Sequence, residues 1–273
     1  MTILFLGNSH LSALKLAHDQ NPGIIGSDAQ FYCARGADLY FTAVEDGRIS
    51  PADPASHDED QIEAFAPDDA AHYEIHRRSM APVAEQFRIT GGTEHIDLAG
   101  IRAIFYVAGV SPYDLVRNGE PLDMSLSRAL RREVLSYTLD RGFLLRQHIL
   151  AIRQQVPQCA HHFIGSPLRS WQSGAATSDT RAIVQGERAT IRAMADDFLF
   201  DRVFMPGEDL LDETLTATKP DFALGGRQEA EIYQGVEATA SDETHMNRAY
   251  GRTVLQSFVA PLVHGRSDRL IPA

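Results

Sequence analysis

Cysteine is scarce. The 273-residue chain has two, Cys33 and Cys159, far apart and each inside an apolar segment. A disulfide framework needs more of them, and a structural zinc site needs them at close spacing. The pair reads as two buried thiols in a reducing compartment. Positive charge is also in deficit: 25 Lys and Arg against 37 Asp and Glu give a net charge of −12. Nucleic acid and anionic membrane both demand clustered cations, so neither is an expected partner. Long apolar runs are missing. The first, residues 2–6, is five residues long with no basic segment before it, too short for a signal peptide or a span, and no later run reaches span length. There is no G-x-x-x-x-G-K-[ST] phosphate loop, no internal repeat and no heptad pattern. The expectation is a soluble, cytoplasmic protein.

What is present is ordinary globular material, 44% hydrophobic and 23% charged, in a chain long enough to bury a sizeable core. Five apolar runs recur: 2–6; 29–33, closed by Arg35-Gly36; 102–107, closed by Ala108-Gly109; 161–164, closed by Gly165-Ser166-Pro167; and 202–205, closed by Pro206-Gly207. Each is near-continuous rather than alternating, as strands covered on both faces are. Helical patterns lie between and after them, at 10–18, at 126–156 with a break near Asp140-Arg141-Gly142, at 179–198 after a Ser178 or Asp179 cap, and at 244–263. The alternation predicts an α/β fold: a doubly wound, mostly parallel five-stranded sheet with helices on both faces, one domain over residues 1–273.

Residues 38–100 break the rhythm and read as an insertion. Residues 39–50 and 85–98 have the look of short strands, with turn signals at Asp46-Gly47 and Gly91-Gly92. Between them runs an acidic, Pro- and Ala-rich stretch, residues 50–73. The expected structure is a β-hairpin or small antiparallel sheet with a loop. It either elaborates the surface or walls a site.

The first run ends in Gly7-Asn8-Ser9-His10. In an open parallel sheet, ligands bind beyond the carboxyl ends of the strands, which is where Ser9 falls. Ser9 has two readings. One is a helix N-cap. The other is a nucleophile, with its own N–H at the positive helix end aimed at a developing oxyanion. A nucleophilic serine needs a base. Ser241-Asp242-Glu243-Thr244-His245 offers one just before the last helical pattern. Three residues apart on a helical turn, Asp242 and His245 share a side, so the carboxylate can fix the imidazole tautomer and stabilise its protonated form. The competing reading is a capping aspartate and a surface histidine, one of eleven in the chain.

Serine after the first strand together with Asp-x-x-His before the last helix resembles the SGNH (GDSL-type) serine hydrolase and esterase family. Its G-[DN]-S and D-x-x-H motifs match Gly7-Asn8-Ser9 and Asp242 to His245, and residues 242–251, DETHMNRAYG, look like its C-terminal block. The α/β-hydrolase elbow G-x-S-x-G fits worse, since position 11 is Leu. The resemblance implies a Ser9 nucleophile, a His245 base and an Asp242 orienter. It implies backbone oxyanion donors at Ser9 and Gly36, and no cofactor or metal. The family's third donor is the asparagine of a G-x-N motif; here the stretch is Gly109-Val110-Ser111, and the asparagine is absent. Ser111 or Asn118 is left as the substitute, with Gly109 beside the substrate. One lost donor typically costs about a hundredfold or more in rate.

The implied activity is hydrolysis of a small acyl ester, including O-acetyl groups on carbohydrate. Two alternatives share the same residues: a carbohydrate O-acyltransferase, and a non-catalytic binding protein on a degenerate hydrolase fold. Trp171, after the fourth run, lines a pocket or fills a structural gap. His72 and His76 are four apart in the insertion but have no third ligand. His161-His162 read as satisfied edge residues. His10, on the helix, is expected to point away from Ser9.

Overall fold

The computed structural model describes residues 2–34, 42–52, 83–107, 130, 146–167, 200–204, 206–213, 217–226 and 245–265. Its main sheet is five-stranded and all parallel, built from β1 (Thr2–Gly7), β2 (Ala29–Cys33), β6 (Ile101–Val107), β7 (Ala160–Ile164) and β8 (Arg202–Phe204). The order is β2-β1-β6-β7-β8. These are the five apolar runs of the sequence. The chain starts in the middle, adds β2 on one side and then crosses to build outward on the other, so the winding direction reverses at β1. This is the doubly wound α/β architecture.

Alternate residues of each strand enter two cores. Ile3, Phe5, Phe31, Cys33, Ala103, Phe105 and Val107 face α1 (Leu11–Gln20) and the C-terminal helix. Leu4, Leu6, Tyr32, Ile104 and Tyr106 face α2 (Val83–Gly91) and α3 (Arg146–Gln155). Phe5 stacks between Phe31 and Phe105, with ring centroids at 4.5 and 4.9 Å. Helices on both faces explain why the strands are apolar throughout. Both cysteines are buried. Among the described residues no helix is long and apolar enough to cross a membrane.

Within residues 38–100 stands a second sheet, β3 (Thr42–Glu45), β4 (Arg48–Pro51) and β5 (Ile96–Asp97), antiparallel in both pairings. The β3–β4 turn is Asp46-Gly47, both at positive φ (48° and 72°), which is the hairpin turn this dipeptide favours. The sheet buries Ile49 and Ile96 on the α3 side of the main sheet. Two hydrogen bonds tie it to α3: His148 Nε2 donates to the Thr42 carbonyl (2.6 Å), and the Gly47 N–H donates to Gln155 Oε1 (3.1 Å).

The structure corrects the expected strand over residues 85–98. Residues 83–91 are helical, and Gly92 is the left-handed C-cap (φ 87°), its N–H reaching the Arg88 carbonyl at 3.1 Å. Gly91-Gly92 therefore ends a helix rather than turning a hairpin. A nine-residue helix and a strand look alike over so short an apolar run. Most of the acidic stretch and of the helical pattern at 126–156, and all of that at 179–198, lie outside the described residues.

His161 and His162 are also corrected. They sit within β7, between β6 and β8, not at an edge, and are 1% and 6% exposed. His161 Nδ1 lies 3.0 Å from the Tyr106 hydroxyl, and His162 packs against Phe105 and Phe258. Burial pushes both imidazoles down to about 4, while the unfolded chain titrates near 6.5. Between those values the unfolded state binds more protons, so acid favours unfolding. The stabilisation is fully present above about pH 6.5 and is lost progressively as the pH falls toward 4. Urea unfolding between pH 7.5 and 4.5 is expected to show this slope. His162→Phe, which suits an aromatic neighbourhood, is expected to flatten it. An unchanged slope in that variant would remove His162 from the account.

Candidate active site

The nucleophile candidate comes from the carboxyl end of β1, at the point where the sheet reverses its winding. Gly7 closes the strand and carries no unusual dihedral. It is glycine because β6 is too near: a Cβ there would lie 2.4 Å from the Val107 carbonyl oxygen. Asn8 then fixes the turn, its Oδ1 accepting the His10 N–H (3.1 Å). The Ser9 carbonyl accepts both the Ser12 N–H (3.2 Å) and the Ser12 hydroxyl (2.7 Å), opening α1. No hydrogen bond takes the Ser9 N–H among the described residues. That N–H lies at the first turn of α1, where the helix end is positive.

Ser9 is not the cap of this helix. His10 occupies that position (φ −67°, ψ −18°) and makes no side-chain cap bond. The Ser9 hydroxyl has another partner: Ser9 Oγ and His245 Nε2 are 2.9 Å apart. A serine hydroxyl donating to an imidazole nitrogen at that distance is the pairing a base needs to remove its proton.

His245 is set differently from the expectation. The final helical stretch opens with α4 (Arg248–Val254), capped by Asn247, and not at 244. It continues through a π-turn, Leu255–Val259, into α5 (Ala260–Val263). His245 is therefore in the approach to the helix, held by its neighbours. Asn247 uses its whole amide: Oδ1 accepts the Ala249 and Tyr250 N–H groups (3.0 and 3.3 Å), and Nδ2 donates to the Asp221 and Leu224 carbonyls (2.7 and 3.1 Å). Its own N–H donates to the Phe222 carbonyl at 2.6 Å. The turn at 220–226 so clamped presses Gly226 on the backbone of His245, where a Cβ would come within 2.1 Å of the His245 carbonyl oxygen.

His10 does not point away from the site. Its ring stacks on that of His245, centroids 5.2 Å apart and planes at 23°. The reading of His10 as turned outward fails because the residue is the cap itself, one position before the helix whose geometry suggested that direction.

Asn247 had a signal in the sequence, an amide just before an apolar-periodic segment. Gly226 had none, because only the fold reveals what approaches it. Asp242, Gly36, Gly109, Ser111, Asn118 and Trp171 lie outside the described residues, as do His72 and His76. Among the described residues no group of three or more His, Cys, Asp or Glu is placed to hold a metal ion.

No protein-family model matches the chain, and no curated protein matches it. Solved structures do. A structure from Streptococcus pneumonia named for platelet activating factor superimposes with a TM-score of 0.43 at 11% identity, over 96% of this chain and 83% of that one. Phospholipase A1 from Streptomyces albidoflavus NA297 gives 0.36 at 12% identity, over 97% and 99%. A family two carbohydrate esterase from Clostridium thermocellum gives 0.35 at 10% identity, over 97% of this chain and 64% of that one.

Proposed function

We propose that the protein is a serine ester hydrolase acting on small acyl esters, O-acetyl groups on carbohydrate among them, through an acyl-enzyme at Ser9. The observation that carries this is the 2.9 Å contact between Ser9 Oγ and His245 Nε2, at the carboxyl end of the strand where the sheet reverses. A binding protein on a degenerate fold has no need of that pairing.

In the proposed reaction Ser9 Oγ attacks the ester carbonyl carbon as His245 Nε2 takes its proton. The carbonyl oxygen becomes an oxyanion facing the Ser9 N–H, with the Gly36 N–H as the second donor and Ser111 or Asn118 supplementing them. The intermediate collapses, the C–O bond to the alcohol breaks, and the alcohol leaves with the proton from His245. Water then attacks the acyl-serine. His245 takes its proton and returns it to Oγ, releasing the acid. Asp242 is proposed to hold His245 Nδ1–H, keeping Nε2 as the acceptor and stabilising the imidazolium.

A fluorophosphonate probe tests the assignment. The wild type is expected to be phosphonylated on the Ser9 peptide, with Ser9→Ala unlabelled and unable to release acetate from p-nitrophenyl acetate. Equal labelling of the two proteins would sink it.

A further inference from the structure

We propose that His10 is a positioning residue for His245: its ring is the platform that holds the base imidazole edge-on to the nucleophile. This rests on the hydrolase reading above. The stacked geometry, 5.2 Å and 23°, is within the offset-parallel range of aromatic pairs.

The argument begins with how each ring is held. His245 enters from a segment without regular structure, its backbone seated by Gly226 and the residues around Asn247. A seated backbone still leaves two side-chain torsions. Hydrogen bonds in the plane of the ring, Nε2 to the Ser9 hydroxyl and Nδ1–H to Asp242 in the reading above, still let it tilt about the axis that joins them. A face contact removes that tilt. His10 can supply one because it is itself fixed: its N–H is bound by Asn8 Oδ1, its backbone is already helical, and it is the residue next to Ser9. Nucleophile and platform are therefore one peptide unit apart and move together. Any shift of the β1–α1 turn carries both, and the imidazole follows its platform to the hydroxyl.

Orientation of the base counts only once the serine proton is in transfer, so the platform raises kcat rather than tightening substrate binding.

Two variants test this beside the wild type and Ser9→Ala. His10→Ala removes the face. His10→Phe keeps a face but has no nitrogen. Expected is a roughly tenfold fall in kcat for p-nitrophenyl acetate in His10→Ala, with KM little changed, and recovery of most of it in His10→Phe. The ring protons of His245 give a readout independent of activity. In the proton NMR spectrum their ring-current shift is expected to be lost in His10→Ala and retained in His10→Phe, which also reports whether each variant is folded. His10→Ala at wild-type kcat overturns the proposal, and so does His10→Phe as slow as His10→Ala, which would assign the effect to a nitrogen. If Ser9→Ala keeps wild-type activity, the hydrolase reading itself fails and the catalytic role of the platform falls with it. An inactive Ser9→Ala beside an unaffected His10→Ala overturns the platform alone.

Discussion

His245→Ala is expected to lower kcat for ester hydrolysis about ten-thousandfold or more, with the far-UV and near-UV circular dichroism unchanged. The side chain is only partly buried, so its truncation opens no cavity in either core. What it removes is the only imidazole nitrogen hydrogen-bonded to Ser9 Oγ among the described residues. Without it the hydroxyl must lose its proton to water during attack, and the leaving alcohol must collect one from water. The pair acts as a unit. The Ser9→Ala/His245→Ala double variant is accordingly expected to be no slower than either single one, because each already abolishes the step they share. A double variant slower by the product of the two effects would mean that they act in separate steps, contrary to the proposal. The measurement is kcat by stopped or continuous assay for all four proteins, at enzyme concentrations high enough to resolve the residual rate.

The second large effect is on stability. Gly251, in α4, lies where that helix crosses α1. A Cβ there would stand 1.9 Å from the Ala13 carbonyl oxygen, 2.3 Å from its carbon and 2.7 Å from the Leu14 nitrogen. All three are backbone atoms, so no rotamer change relieves the clash and the two helices must separate. Alanine improves intrinsic helix propensity by about 1 kcal/mol. Overpacking of a buried contact costs typically 1–3 kcal/mol, more when backbone must move. The separation also strips apolar contact from Leu11, Leu14, Tyr250 and Val254, which share this core. Gly251→Ala is expected to be destabilised by about 2–4 kcal/mol net, read as a lower urea midpoint at unchanged slope. Because His245 lies just before α4, the variant is also expected to lose activity while still folded. An unchanged midpoint would show that the crossing can widen without loss, and would contradict the packing described.

The five main strands were legible because helices cover both faces, which leaves an unbroken apolar run as their signature. The hairpin turn at Asp46-Gly47 was legible for a different reason: few dipeptides accept two positive φ angles. α2 was not, because Phe87 and Val83 give an apolar pattern too short to separate a period of 3.6 from one of 2. Ser9 and His245 could be nominated from motif spacing, but their apposition depends on how α1 and α4 cross, a matter of Gly251 and Ala13 that no local pattern encodes. The direction of His10 is hidden for the same reason. Its direction depends on whether it is the first residue of a helix or the one before, and helix boundaries are the least legible feature of a sequence. His161 and His162 are polar by type, and only the sheet order shows that they lie in an inner strand.

Ser9 and His245 are 236 positions apart in the chain. During synthesis Ser9 is made before His245, and on the proposed function it stays an unactivated alcohol until that base is in place. Reactivity then arrives at once, when α4 docks across α1. Misfolded chains are therefore expected to be silent toward esters, and the appearance of activity in a refolding experiment is expected to time the docking of α4 on α1 rather than the formation of the main sheet.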